Sequence, residues 1–188
     1  DPATVNITVN SVNDPPQVDA GVNLTANEGD VVTFAGSFTD IDIGDTHTIH
    51  WDFDISDGLD GVSADGTLTP SHIYPDDGVY TASLTVTDAG GLYATATTTV
   101  TVADVLPVAL ATVSDSTPSY GVPVTFNGSG SYAASTDVLS YTWQLGDGST
   151  GAGMIVNQVY AVPGAYTATL SVTDDDGNSA SAMIPFLV

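Results

Sequence analysis

The sequence repeats itself, and this internal repeat restricts the possible folds more than any other feature. Val32–Phe34 recurs 92 residues later as Val124–Phe126. Tyr80–Val86 recurs 86 residues later as Tyr166–Val172. The two spacings differ because the loop that follows Trp51 is six residues longer in the first copy. The chain therefore contains two homologous units in tandem.

The segments between the copies define four predicted parts. The first unit occupies residues 15–102, residues 103–106 form a linker, and the second unit occupies residues 107–188. Residues 1–14 have the pattern of the last strand of a preceding repeat followed by a linker. The alternative is a strand donated to a neighbouring molecule.

Each copy has the side-chain pattern of β-strands. Tyr80–Val86 and Tyr166–Val172 alternate apolar or aromatic residues with serine and threonine, and they are rich in valine, threonine and tyrosine. Turn residues such as Asp-Gly punctuate these runs at hairpin spacing. The sequence predicts an all-β protein of two tandem antiparallel β-sandwiches with about seven strands each. We expect Trp51 and Trp143, at matching positions, to fill the two cores.

The motifs of both copies resemble the PKD domain, an immunoglobulin-like repeat named from polycystin. In the first copy they are Trp51–Phe53, His72–Tyr74, Gly78–Tyr80 and Leu84–Asp88. In the second copy they are Trp143–Gly148, Tyr160, Gly164–Tyr166 and Leu170–Asp174. The second copy departs from the pattern at Gln144 and Gln158, and the first has an acid-rich insert in place of a tight turn. The segment Val12–Pro16 also resembles junctions of bacterial cadherin-like repeats.

This resemblance implies immunoglobulin-like sandwiches and an extracellular or cell-surface location. PKD-like domains serve as spacers, as adhesion modules and as accessory domains of secreted hydrolases. The resemblance therefore leaves the particular role of this chain open.

The charge of the chain excludes several functions. Its 188 residues include 23 acidic side chains but neither lysine nor arginine, which gives a formal net charge of -23. Binding to nucleic acid or to anionic lipid needs cationic side chains, so both are excluded as partners. No apolar run is long enough for a membrane helix, and we expect no membrane insertion of this segment.

The sequence predicts no catalytic site. It lacks cysteine, a nucleophile elbow and a phosphate-binding glycine loop. His47 and His50 are three residues apart on a predicted strand, so they point to opposite faces and cannot share a zinc ion. His72 lies in a structural motif, which favours a structural role.

We expect clustered aspartates to bind calcium, because carboxylates without a cationic partner repel one another. Of the 23 acids, 22 are aspartate, the short carboxylate that suits tight loops. The first predicted site comprises Asn13, Asp14, Asp40, Asp42 and Asp45. In a sandwich of this topology the linker, this loop and the last hairpin share one end of the domain. The alternative is a loop that is only solvated.

A second predicted calcium site lies at the other end of the first unit, where the acid-rich insert faces the second copy. It comprises Asp54, Asp57, Asp60, Asp104, Asp174, Asp175 and Asp176. An ion there would hold the two repeats together, as in cadherin-type junctions. The alternative is a solvated loop that keeps the chain soluble.

The sequence thus favours a non-catalytic extracellular structural or adhesion module, a calcium-stiffened spacer in a longer repeat protein. Its expected partners are neighbouring repeats, other copies of itself through strand pairing, and surface glycans or proteins. One alternative is a subunit of a filament or layer, assembled by donating the strand that contains Thr4–Val9. Another is a carbohydrate-binding accessory domain, for which only Tyr93, Tyr120 and Tyr132 are predicted to be free aromatics.

Overall fold

The computed structural model of the chain describes residues 12–56 and 63–188. Within these ranges the regular secondary structure consists of β-strands, without α-helices. The chain divides into two compact units. The first comprises residues 1–26 and 30–103, and the second comprises residues 27–29 and 104–188. The predicted all-β class is confirmed.

The strands of the first unit form one large sheet and two strand pairs. The strands are β1 (Gln17–Asp19), β2 (Leu24–Asn27), β3 (Val31–Thr33), β4 (Ser37–Thr39), β5 (Thr48–Asp52), β6 (Ser63–Asp65), β7 (Ser71–Ile73), β8 (Gly78–Thr87) and β9 (Tyr93–Ala103). The large sheet has the order β2-β9-β8-β5-β6, and the pairs are β1-β4 and β3-β7. The long antiparallel hairpin β8-β9 lies in the middle of this sheet.

The second unit has two sheets. Its strands are β10 (Thr112–Val113), β11 (Pro123–Asn127), β12 (Ser140–Gln144), β13 (Thr150–Ala152), β14 (Ile155–Val159), β15 (Ala165–Thr173) and β16 (Ser179–Leu187). One sheet has the order β13-β12-β15-β16 and the other β10-β11-β14. The hairpin β15-β16 occupies the position that β8-β9 has in the first unit, as the repeat requires.

Each unit has its own hydrophobic core, built around one tryptophan. Trp51 packs with Phe34 and Leu84, and Trp143 packs with Phe126 and Leu170. Both tryptophans are at most 1% exposed, as the sequence predicts. These residues reach the core because every second side chain of a strand points toward it.

The repeated Gly36 and Gly128 allow this packing. A Cβ atom on Gly36 would lie 2.5 Å from Leu84 Cδ2 and 2.8 Å from Trp51 Cζ2. A Cβ atom on Gly128 would likewise lie 2.8 Å from Leu170 Cδ2. A side chain at either position would therefore collide with the core, which explains why glycine recurs there.

A buried tyrosine joins strand ends in both units. The Tyr74 hydroxyl donates a hydrogen bond to the Phe53 carbonyl at 2.8 Å, and the Tyr160 hydroxyl donates to the Leu145 carbonyl at 2.8 Å. Burial raises the pKa of both tyrosines, so both stay protonated as donors. In both units the hydroxyl thus satisfies the hydrogen-bonding capacity of a buried carbonyl.

We expect Tyr74→Phe to destabilise the first unit by about 1–3 kcal/mol, because the buried Phe53 carbonyl loses its donor. Urea denaturation of the chain measures the change in the free energy of unfolding. Tyr93→Phe is the matched control, since Tyr93 is 67% exposed and should lose almost nothing. Equal losses for the two variants would contradict the assignment.

His72 is part of an aromatic cluster in the first unit. Its ring stacks on Phe53 with a centroid distance of 4.7 Å and an interplanar angle of 3°, and it makes a T-shaped contact with Tyr74 at a centroid distance of 4.6 Å. Burial lowers the pKa of His72 below its ordinary value. The second copy has Gln158 at the equivalent position, which carries no charge at any pH.

We expect His72 to make the first unit acid-sensitive. Below pH 6.5, the ordinary pKa of this histidine, the unfolded chain takes up a proton that the folded chain refuses. Stability is therefore fully present above pH 6.5 and is lost as the pH falls toward the lower folded pKa. In urea denaturation between pH 7.5 and 5.5, His72→Gln should lose less stability than the wild type. Parallel losses in the two proteins would show that other groups cause the sensitivity.

Candidate metal centre

Three carboxylates converge in the second unit. Glu28 follows β2, Asp104 follows β9, and Asp176 lies in the turn between β15 and β16. One oxygen from each side chain lies within 4.8 Å of the other two. In the described part of the chain, this is the one group of three or more histidine, cysteine, aspartate or glutamate side chains with that geometry.

Glu28 is the anchor of this group, which we call the Glu28 cluster. It is 3% exposed, and its Oε1 accepts a hydrogen bond from the Val105 backbone N–H at 2.7 Å. Its Oε2 is buried and has no hydrogen-bond partner among residues 12–56 and 63–188. A buried carboxylate oxygen without a donor is costly, so it points to a missing partner.

Asn178 holds two more carboxylates of this unit. Its side-chain amide donates to Asp104 Oδ2 at 2.7 Å, and its backbone N–H donates to Asp174 Oδ1 at 2.7 Å. The other oxygen of each, Asp104 Oδ1 and Asp174 Oδ2, is buried and finds no hydrogen-bond partner in the described part of the chain. The hairpin turn thus fixes both carboxylates while leaving one oxygen of each available.

The carboxylates around the Glu28 cluster also repel one another. Burial raises the pKa of Glu28, and the charges of Asp137, Asp176 and Asp104 raise it further. Burial likewise raises the pKa of Asp137, with added repulsion from Asp175 and other neighbouring carboxylates. A cation would relieve this repulsion.

The Glu28 cluster includes two residues of the second predicted site, Asp104 and Asp176. Asp175 Oδ1 instead accepts the Val138 backbone N–H at 2.9 Å. In the first unit, Asp54 Oδ1 accepts two hydrogen bonds from Ser56, through its backbone and its hydroxyl. Asp57 and Asp60 lie outside the described residues.

Sequence reasoning missed Glu28. One feature of the sequence could have indicated it: Glu28 is the single glutamate among 23 acidic residues. A shift of 92 residues places Tyr120 at its position in the second copy, so the repeat does not retain it.

The first predicted site lies in the first unit, where backbone and side chains already engage its carboxylates. Asp42 Oδ2 accepts the Asp14 backbone N–H at 2.7 Å. Asp40 Oδ1 accepts the Asp42 N–H at 2.9 Å, and Asp40 Oδ2 accepts the His47 Nε2–H at 2.7 Å. The His47 hydrogen bond is the main cause that lowers the pKa of Asp40.

The linker also contacts the last hairpin of the first unit. Asn13 Nδ2 donates to Asp88 Oδ2 at 2.9 Å, and the Asp45 backbone N–H donates to the Asp42 carbonyl at 3.3 Å. The linker, the loop and the hairpin therefore meet at one end of the unit. Among the described residues of this end, no three histidine, cysteine, aspartate or glutamate side chains bring their ligand atoms within 4.8 Å of one another. Calcium binding there stays a prediction.

His47 and His50 contact different carboxylates, since His47 lies against Asp40 and His50 Nδ1 lies 2.7 Å from Asp65 Oδ1. The three predicted free tyrosines are exposed: Tyr93 and Tyr120 by 67% each and Tyr132 by 57%. The proposed donor strand at Thr4–Val9 lies outside the described residues. No helix within residues 12–56 or 63–188 is long and apolar enough to cross a membrane.

Comparison with known proteins supports the repeat structure. The family model of the PKD domain matches residues 13–102 and again residues 104–186. The chain therefore belongs to the PKD domain family and contains two such domains in tandem. The predicted PKD resemblance and the immunoglobulin-like sandwich class are both confirmed.

Solved structures are similar to one domain or to both. The PKD1 domain of Vibrio anguillarum Epp is 28% identical over 45% of this chain and 95% of its own, with a TM-score of 0.37. The PKD1 domain of the Vibrio cholerae metalloprotease PrtV is 28% identical over 44% and 96%, with a TM-score of 0.36. The amphioxus IgVJ-C2 molecule is 14% identical over 88% and 100%, with a TM-score of 0.47.

Proposed function

We propose that this chain is a non-catalytic extracellular module that acts as a calcium-stiffened spacer within a longer repeat protein. Two tandem domains of one family suit a spacer, because added repeats extend a chain without requiring a new fold. PKD domains are typically non-catalytic and occur in extracellular or secreted proteins.

Buried carboxylates in a chain without lysine or arginine are the observation that carries this proposal. Glu28, Asp88 and Asp174 are each less than 7% exposed. Only the three histidines can carry a positive side-chain charge, and all three precede residue 73. Carboxylates and backbone carbonyls are the oxygen ligands that calcium prefers.

The difference in calcium concentration between the outside and the inside of a cell suits a calcium-stiffened spacer. Extracellular calcium modules bind at about 10⁻⁴–10⁻³ M, so such sites fill outside a cell and empty inside it. Calcium would then order the loops at the domain ends only after export. Without calcium, the charge of -23 favours loosening of those loops by self-repulsion.

We expect calcium to raise the melting temperature of the chain by several degrees over its value in EDTA. For a site of the stated affinity, 10 mM calcium stabilises by about 1.4–2.7 kcal/mol. Differential scanning calorimetry at matched ionic strength measures the shift, with magnesium as the control cation. A response that sodium or magnesium reproduces would overturn the proposal and leave the acids as a solvating coat.

Stiffening has its own measurement, which is hydrogen exchange of the linker. We expect calcium to slow amide exchange at residues 103–106, because Val105 donates its N–H to Glu28. Amides in the middle of β15 serve as the internal control, since the sheet already protects them. Thermal stabilisation without slower exchange in the linker would support calcium binding but contradict the spacer mechanism.

A second candidate function is carbohydrate binding, which the exposure of Tyr93, Tyr120 and Tyr132 favours. Aromatic rings that are free of the core can stack on sugar rings. A polysaccharide pull-down with Tyr120→Ala and Tyr132→Ala separates this function from the spacer. Retention that depends on these tyrosines and not on calcium would favour the carbohydrate-binding module.

A further inference from the structure

The Glu28 cluster has no cationic side chain within its own unit. Residues 27–29 and 104–188 contain no lysine, arginine or histidine. The carboxylates of this unit can therefore be neutralised only by a proton or by a cation from solution. Because an isolated buried carboxylate is strongly disfavoured, the buried Glu28 must either take up a proton or bind a cation.

The available atoms fit a hard cation. Glu28 Oε2 and Asp104 Oδ1 are buried and have no hydrogen-bond partner among the residues that the structure describes. Both side chains belong to the group of three whose oxygens lie within 4.8 Å of one another. The ligand set has no nitrogen or sulfur, which disfavours zinc and other transition metals. The donors come from three irregular segments, an arrangement that suits the flexible coordination of calcium better than the strict octahedron of magnesium.

Glu28 and Asp104 each have one further carboxylate oxygen, and a hydrogen bond from the protein holds it in place. Val105 N–H holds Glu28 Oε1, and Asn178 holds Asp104 Oδ2. Each carboxylate is thus oriented by one hydrogen bond, and its other oxygen stays available to a metal. Hydrogen bonds of this kind orient ligands in metal sites.

We propose that Glu28, Asp104 and Asp176 bind one calcium ion in the second unit, with Glu28 as the buried ligand. This inference rests on the proposed calcium-dependent function and names a site for it that includes a residue outside both predicted sites. The ion then holds Glu28 and Asp104 against the β15-β16 turn, all within the second unit. The remaining coordination positions are left to backbone carbonyls and water.

The test is calcium titration calorimetry on the 188-residue chain after removal of divalent ions. Glu28→Gln keeps the acceptor for the Val105 N–H and removes only the charge. We expect it to weaken calcium binding at least tenfold and to remove most of the calcium-dependent rise in melting temperature. In EDTA it should melt at or above the wild-type temperature, because a buried unpaired charge has been removed. A merely structural role for Glu28 would lower the melting temperature in EDTA as well.

Two further variants complete the design. Asp176→Asn changes an exposed ligand, so the variant should fold even if Glu28→Gln does not, and it should also weaken calcium binding. Asp76→Asn removes one exposed charge from the first unit and should leave calcium binding unchanged.

The outcomes separate this site from the proposed function. If calcium stabilises the wild type and both ligand variants bind calcium with wild-type affinity, the site assignment is overturned and calcium stabilisation stands. If the wild type shows no response beyond the sodium and magnesium controls, both the site and the calcium-dependent function are overturned. Loss of binding in the ligand variants, with normal binding in Asp76→Asn, supports the site.

Discussion

A chain with neither lysine nor arginine must satisfy its carboxylates in another way, and this constraint shapes the loops of both domains. Aspartates repeatedly accept the backbone N–H two residues further along the chain, as at Asp19, Asp52, Asp115 and Asp147. Only a short side chain reaches its own turn in this way, which explains the near-exclusive use of aspartate. The turns are thus stabilised by their own acids, and the single glutamate reaches a more distant partner, Val105.

The fold was predictable because its signals are local and occur twice. Alternation in the two long hairpins, the repeated tryptophans and the repeated Gly36 and Gly128 all reflect packing inside one sandwich. The Glu28 cluster was predictable only in part. Asp104 and Asp176 stood out in acid-rich segments, whereas Glu28 lies in an ordinary turn, and its burial depends on residues more than 70 positions away. Sequence spacing does not carry that information.

The two copies also show how a repeat diverges while its core persists. His72 and Gln158 occupy equivalent positions, yet His72 stacks on Phe53 while Gln158 donates to Asp147 at 2.7 Å. The tight turn of the second copy supplies Asp147 as this acceptor, and the first copy has its longer insert there. The amide at this strand position thus accompanies the tight turn, and the aromatic ring accompanies the longer insert.

The two tryptophans differ in one contact that matters for spectroscopy. Trp143 Nε1 donates to the Gly153 carbonyl at 3.1 Å, whereas Trp51 Nε1 is buried without a partner among the described residues. Each domain contains one tryptophan, and the two indoles have different polar surroundings. Emission from Trp51 should lie at shorter wavelength than emission from Trp143, which would let the unfolding of each domain be followed separately in the intact chain.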